Sequence, residues 1–380
     1  MTNGLEHQIA EARLEISAES ISMSISELTN LYKEGVLEIR PEFQRLFRWT
    51  REQKSRLVES ILLGIPLPSL FVSQDVTTGA WELVDGLQRV STILELQGEL
   101  KDAVGTKRPA LQLAGTKFLP DLSGLSWDGS SGRALTDAQK LDLRFARLDL
   151  KIIKRSSDPK AKFDLFQRLN SYGSALMPQE IRSAMVAGVS SECLAWLTRM
   201  AAHQSFKDCV SLSERLTDEQ FDIELVLRFL MLHNRTEVGM RAALSDFATK
   251  LDEWAVELAG NFTGWSPELE RVFKATFDSL SAQGGENVFR KWDVGRQAFR
   301  GAFLNTSFEV LALGAGYHFA RGATPRSDYL EAAKELWGLL NERPGFATGL
   351  ATQDRFAKTI PLGRKLTADP PLAVTAADLA

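Results

Sequence analysis

The sequence predicts an α+β protein: strands and helices mixed through the first half, followed by a helical second half. Three observations carry this. Leu70 to Val76 and Trp81 to Asp85 are short β-rich runs joined by Thr77-Thr78-Gly79, a hairpin signal. The second run passes through Gly86 straight into a helical apolar pattern. After about Gly188 the strand signals disappear while helical spacing continues.

The elements follow in order. Ser26-Glu27-Leu28 opens a short helix with Leu28 and Leu31 on one face, stopped by Gly35. Val36 to Ile39 alternates as a short strand, and Pro41 bars its continuation in a sheet centre. Thr50, with Gln53 three residues on, has the form of a capping box, starting a helix with Leu57, Val58 and Ile61 inward. The helix after Gly86 runs about three turns, a typical length. Asp121 to Arg133, rich in Gly, Ser and Asp, reads as an exposed loop, and Leu148 to Ile153 as a strand. Asp158-Pro159 matches an N-cap followed by Pro, opening a helix over Lys160 to Leu169; Gly173 ends it, and Pro178 starts another through Val186.

In the second half, Thr217-Asp218-Glu219-Gln220 is a further capping-box pattern ahead of Ile223, Val226, Leu227 and Leu230. Ser266-Pro267 predicts a helix start, Gly284-Gly285 a helix end, and further helices fall near Arg296 to Leu313 and Ser327 to Leu340. The expected organisation is an extension over 1–20, a mixed domain over 21–188, a helical domain over 189–368 and an Ala/Pro-rich tail over 369–380.

Composition narrows the function. A 380-residue chain exceeds one typical core, and 44% apolar with 25% charged residues fits a globular protein rather than a disordered one. Lys+Arg number 45 against 49 Asp+Glu, so the net charge of −4 confines any DNA contact to a local patch. Cys193 and Cys209 form no disulfide framework or zinc set. Met1 to Ala10 lacks the apolar core of a signal peptide, and Ile61 to Val72, interrupted by Pro66 and Pro68, is too short to span a bilayer. The expectation is a cytoplasmic protein without a membrane segment. GxxxxGK[ST], GxGxxG, HExxH, CxxC and GxSxG are all absent. His7, His203, His233 and His318 are scattered, whereas a metal nuclease of the HNH type needs clustered histidines.

Three clusters carry chemistry. In Trp81-Glu-Leu-Val-Asp85-Gly86-Leu87-Gln88-Arg89-Val-Ser-Thr92, a strand ends in Asp and a helix begins at once. Free backbone N–H groups and the positive end of the helix dipole then meet at Gly86, an anion site in form. At 100° per residue Leu87, Val90, Ile93 and Leu94 share the apolar arc, and Gln88, Arg89, Ser91 and Thr92 the polar one. Arg89 suits a phosphate and Asp85 a metal or a water. A surface helix whose Arg89 pairs with an acidic neighbour fits the spacing equally.

Arg40 to Arg56 interleaves six basic residues with Phe43, Phe47 and Trp49, against only Glu42 and Glu52. That is a phosphate-holding, base-stacking pattern, with Arg48, Arg51 and Lys54 as DNA-binding candidates. The aromatics serve equally as core anchors. In the third cluster, Phe166-Gln167-Arg168-Leu169-Asn170 and Pro178-Gln179-Glu180-Ile181-Arg182 flank Gly173. It places Arg168, Asn170, Glu180 and Arg182 close in sequence, a structural ion pair of Glu180 and Arg182 being the plainer alternative.

Phe43-Gln44-Arg45…Trp49, Val84-Asp85-Gly86-Leu87-Gln88-Arg89…Thr92 and Phe166…Arg168-Leu169-Asn170…Gly173…Leu176…Glu180-Ile181-Arg182, in that order, resemble the GmrSD-type N-terminal domain family. The resemblance covers about residues 20 to 190, and Phe299-Arg300-Gly-Ala-Phe…Phe308-Glu309 looks like the later part of stand-alone members. It implies a ParB/sulfiredoxin-like fold and a place in modification-dependent restriction or related antiphage systems. Relatives implicated in nucleotide hydrolysis carry Asp-Gly-Gln-Gln-Arg; here Leu87 replaces the first Gln. The HNH nuclease domain that completes many members has no counterpart in these residues.

The resemblance therefore implies an NTPase that senses or gates DNA cleavage by a partner nuclease. Gly86, Arg89 and Thr92 would hold the triphosphate, with Gln44 and Arg45 closing on it. Asp85 or Gln88 would place Mg²⁺ or the attacking water, and Arg168, Asn170, Glu180 and Arg182 would complete the wall. A non-hydrolysing nucleotide- or DNA-binding module and a metal-dependent nickase using Asp85 and Glu180 are the alternatives. The preferred base and the oligomeric state are not legible in the residues.

Overall fold

The computed structural model describes residues 17–39, 49–74, 78–102, 105–129, 132–154, 177–236, 238–343, 345 and 349–374. It divides into two compact units, Met1–Leu176 and Met177–Ala380. The architecture is α+β, with one mixed sheet in the first unit and a mostly helical second unit. Among the described residues no helix is long and apolar enough to cross a membrane.

The first unit is built on β1 (Ser17–Ser24), β2 (Leu37–Glu38), β3 (Leu70–Gln74), β4 (Trp81–Asp85) and β7 (Arg147–Lys154), in the order β1-β7-β3-β4-β2. β3 and β4 are antiparallel, as the hairpin signal predicts, with a register shift between Phe71 and Val72. β3 runs parallel to β7, and β2 parallel to β4. β7 alternates Leu148, Leu150 and Ile152 inward with exposed Asp149 between the first two, the period-2 signature of a strand. These side chains pack against Leu28 of α1 (Ile25–Lys33), Leu57 of α2 (Arg51–Leu62), and Val90, Ile93 and Leu94 of α3 (Leu87–Leu96). The capping box at the start of α2 is present in full: Gln53 N donates to Thr50 Oγ1 at 3.3 Å and Thr50 N to Gln53 Oε1 at 2.9 Å.

Three features of this unit depart from the sequence expectation. β1 has no counterpart in the sequence reading, which opens its elements at Ser26; it is recruited along β7, with Ser17 opposite Lys154 through Ser24 opposite Arg147. α4 (Asp137–Phe145), capped by Thr136, was also unforeseen. The stretch Asp121 to Arg133 is not simply an exposed loop. Leu122 and Leu125 are buried in a second small core with Leu111, Leu113, Leu135 and Leu143. Within it β5 (Leu125–Ser126) pairs with β6 (Arg133–Ala134).

The second unit contains α5 (Pro178–Val189), α6 (Ser191–Ala201), α7 (Gln204–Val210), α8 (Phe221–Leu232), α9 (Phe247–Gly260), α10 (Phe262–Gly284), α11 (Leu313–Ala320), α12 (Tyr329–Glu342) and α13 (Thr352–Leu366). Phe206, Phe229, Phe273, Phe277 and Phe308 are fully buried at its centre. Phe206 meets Phe277 edge-on at 4.9 Å, and Phe229 meets Phe273 edge-on at 5.6 Å, the arrangement the ring quadrupoles favour.

Here too the structure corrects the expectation. Thr217 lies inside a short helix, Glu214–Asp218, and α8 begins after Gln220 in a left-handed conformation without a side-chain cap. Pro267 is inside α10 rather than at its first turn. Phe262 packs edge-on against Trp196 at 5.5 Å, and this tertiary contact outweighs the local start signal. Arg296 to Leu313 does not form one helix. β8 (Lys291–Asp293) and β9 (Ala298–Arg300) form an antiparallel hairpin, and helical structure resumes only at Asn305. The alternation Trp292/Phe299 inward, with Gln297 at positive φ and Gly301 at φ +85°, fits a turn and not a helix.

Candidate functional site

The site is the β4–Gly86–α3 turn of the first unit. Gly86 is required there twice over. Its φ is +97°, which side chains rarely adopt, and a Cβ on it would sit 2.2 Å from Leu70 Cδ2 and 3.3 Å from Arg89 Nη2. α3 begins with no side-chain cap, so the N–H groups of its first turn receive no capping side chain.

Arg89 stands in that first turn, where a cation opposes the helix dipole. Three acceptors hold it. Its Nη2 donates to Asp85 Oδ2 at 2.9 Å and to the Ser69 carbonyl at 3.3 Å, and its Nη1 donates to the Pro68 carbonyl. The guanidinium thereby ties the segment leading into β3 to the start of α3. Burial pulls its pKa below the ordinary arginine value, and the Asp85 charge partly restores it. Asp85 is the more exposed partner, its side chain 28% accessible against 13% for Arg89.

Gln88 reaches the other way. Its Oε1 accepts from the Trp49 backbone N–H at 3.2 Å, holding the residue that follows the Gln44–Arg48 segment beside the helix start. Trp49 itself packs against the core, which is the anchoring alternative for that aromatic. Leu87 also packs on the core, so the apolar residue at this position faces inward as the helix arithmetic predicts. The same arithmetic fails for Ser91 and Thr92, which are buried although they fall on the polar arc. The Thr92 hydroxyl donates to the Gln88 carbonyl at 2.6 Å, within its own helix.

Two of the DNA-binding candidates, Arg51 and Lys54, are engaged. Arg51 donates through Nε to the Gln112 carbonyl at 2.7 Å and through Nη2 to the Leu113 carbonyl at 2.8 Å. Lys54 pairs with Glu95 at 2.6 Å, both side chains largely buried. Gln44, Arg45, Arg48, Arg168 and Asn170, with the helix expected over Lys160 to Leu169, lie outside the described residues.

Glu180 and Arg182 fall on α5, in the second unit. Glu180 Oε2 accepts from the Met177 N–H at 2.8 Å, closing the first turn of its own helix. Arg182, 2% exposed, donates through Nε to Asp252 Oδ1 at 2.7 Å and through Nη1 to Gln179, with Glu224 Oε2 at 3.6 Å. The ion pair of Arg182 is thus structural, but its partners are Asp252 and Glu224 rather than Glu180.

Sequence reasoning missed the Pro68 and Ser69 carbonyls. The available signal was Pro66 and Pro68 ahead of a strand, which leaves carbonyls there in want of a donor. For a divalent ion the fit is narrow. No three His, Cys, Asp or Glu side chains gather among the described residues, so Asp85 would supply at most one carboxylate and a triphosphate would have to supply the other oxygens, an arrangement Mg²⁺ accepts.

No curated protein and no solved structure matches the chain. The family model for the GmrSD restriction endonuclease, N-terminal domain, matches residues 25–187. That span opens with the first residue of α1 and closes within α5, so all three motif clusters lie inside it. Residues 25–187 are thus matched as a GmrSD restriction endonuclease N-terminal domain.

Proposed function

We propose that this protein is a nucleotide-binding NTPase of a bacterial antiphage or modification-dependent restriction system, sensing or gating DNA cleavage by a partner nuclease. The observation that carries the reading is the β4–Gly86–α3 turn. An uncapped helix start and a first-turn arginine, which opposes its own helix dipole, converge on one place. An anion there satisfies both the N–H groups and the dipole. Arg89 fixes Asp85, and Asp85 Oδ1 has no partner among the described residues, leaving it to place a Mg²⁺ that arrives with the triphosphate or to orient water. Phosphoryl transfer asks chiefly for such positioning and charge stabilisation. The ParB/sulfiredoxin-like character of the sheet and the closing of Gln44 and Arg45 over the phosphates belong to the same proposal.

A second reading has one observation in its favour. The bonds of Arg89 to Pro68, Ser69 and Asp85 suffice for a staple, so the turn also fits a module that binds nucleotide without turnover.

Phosphate release from ATP, GTP, CTP and UTP with Mg²⁺, with and without DNA, separates the two. Asp85→Asn keeps the shape of the turn and removes the charge. Release by the wild type that Asp85→Asn abolishes, with nucleotide still bound, supports the NTPase. Binding without release supports the module, and absence of both overturns the nucleotide site.

A further inference from the structure

We propose that the β8–β9 hairpin of the second unit, with the groove beside it, is a docking site for the phosphate backbone of DNA. This deepens the DNA element of the reading above and does not depend on the nucleotide site. The groove has a volume of about 710 Å³, and Lys291, Arg296, Arg300, Asp293 and Asn341 are among its lining residues.

The charge placement is the first argument. Lys291 and Arg300 are directly opposed cross-strand partners, so they project from the same face of the hairpin. Like charges so placed destabilise a hairpin. Both are exposed, as is Arg296 at the tip. Among the described residues Arg296 and Arg300 pair with no carboxylate, and Lys291 has only the Trp337 ring at 5.8 Å. Several exposed cations elsewhere in this unit do find partners: Arg241 meets Asp354, Lys250 Glu253 and Arg271 Glu268. Asp293 is the one carboxylate in the groove lining, and its Oδ1 accepts from the Arg296 backbone N–H at 3.1 Å.

The second argument is rigidity. On the opposite face Trp292 and Phe299 pack at 4.9 Å, and the Trp337 indole donates to the Arg290 carbonyl at 3.0 Å. The Trp337 bond, with Lys334 of the same helix 5.1 Å from the Trp292 ring, anchors the hairpin on α12. The tip is ordered as well: Gln297 is held at φ +50°, and its Nε2 donates to the Val294 carbonyl at 2.8 Å. A rigid ribbon that carries three cations against a self-repelling geometry is relieved by a polyanion lying along it. A nucleic-acid backbone presents such a continuous run of negative charge. This also supplies the local patch that a chain of net charge −4 requires.

The test is fluorescence anisotropy of the full chain with a labelled duplex of about 30 base pairs, between about 50 and 200 mM salt. Compared are wild type, Lys291→Gln/Arg296→Gln/Arg300→Gln, Arg296→Gln alone, and Arg215→Gln as a control cation on the same unit. The triple variant is expected to bind tenfold or more weakly, and its slope of log affinity on log salt to fall by about 0.9 for each phosphate contact removed. It should melt no lower than wild type, because the opposed cations are gone; were it to misfold, Arg296→Gln at the exposed tip carries the same test. Equal losses in Arg215→Gln and the triple variant, an unchanged salt slope, or no duplex binding by wild type each overturn the site. Displacement of the duplex by ATP at equal phosphate concentration reassigns the groove to free nucleotide and also overturns it. Phosphate release, measured in parallel, reports on the Arg89 turn independently.

Discussion

Arg89 and Asp85 face each other across the first turn of α3, the Arg89 Nη2 donating to Asp85 Oδ2 at 2.9 Å. The pair reconciles two opposite demands at a helix start. Asp85, just ahead of the helix, is where a negative charge is favoured, and Arg89, inside it, is where a positive one is not. Arginine persists there because its planar fork reaches Asp85 and two backbone carbonyls together. Lysine has the charge without the fork. Arg89→Lys is therefore expected to lower unfolding free energy by about 1–3 kcal/mol, through carbonyls left unsatisfied. Urea denaturation checks this, and an unchanged midpoint would remove Arg89 from the role of staple.

Gly86→Ala tests the turn itself. Two penalties add: left-handed backbone, about 1–2 kcal/mol for a side-chain-bearing residue, and the overlap with Leu70 Cδ2, about 1–3 kcal/mol as overpacking. Only the second is relieved by Leu70→Ala. In a double-mutant cycle the two substitutions should cost less together than their sum, with the backbone share remaining. Strict additivity would mean that Leu70 does not crowd this position.

The parts of the fold that were legible in the sequence are those decided locally. The Thr50–Gln53 capping box, the β3–β4 hairpin and the strand–Gly86–helix passage each rest on bonds or dihedrals within a few residues. β1 was hidden because only pairing with β7 makes it a strand. Pro267 misled because a contact from Phe262 to Trp196 extends α10 past it. At the site, residue identities were legible but partners were not. No spacing rule tells that Arg89 meets the Pro68 and Ser69 carbonyls, or that Thr92 turns to its own backbone. The same limit explains Arg182, whose partner Asp252 lies 70 residues away in sequence.

Arg182→Met should be among the most damaging single changes in the second unit. It removes the cation that pairs with Asp252 and leaves that carboxylate without it in a nearly dry place, while Glu224 keeps its pair with Arg228. Breaking a buried pair from one side costs about 3–5 kcal/mol. Asp252→Asn retains a neutral acceptor for Arg182, and Glu224 retains its charge, so it should cost clearly less. Denaturation of the two variants orders them, and equal costs would show that the pair is not what holds α5 to α9.

His233 gives the second unit a pH dependence of defined sign. The ring is buried and stacks on Phe229 at 5.0 Å, and its Nδ1 lies 3.0 Å from the Phe229 carbonyl and 3.1 Å from the Leu230 carbonyl. Both partners are acceptors, so Nδ1 carries the proton of the neutral ring. Burial holds the pKa down at about 4, against 6.5 for the free side chain, with Arg364 adding to the effect and the two carbonyls and Glu268 opposing it. Between those values the unfolded chain binds a proton that the folded one refuses. Stability is therefore whole above about pH 6.5, falls as the pH drops toward 4, and loses nothing further from this group below that. The full loss is about 3 kcal/mol, from 1.36 kcal/mol for each unit of pKa difference. Carboxylates titrate over part of the same range, so the informative quantity is the difference between wild type and His233→Gln. That difference should slope between pH 6.5 and 4 and flatten on either side; a curve flat throughout would mean the imidazole takes up its proton in the folded state as readily as in water.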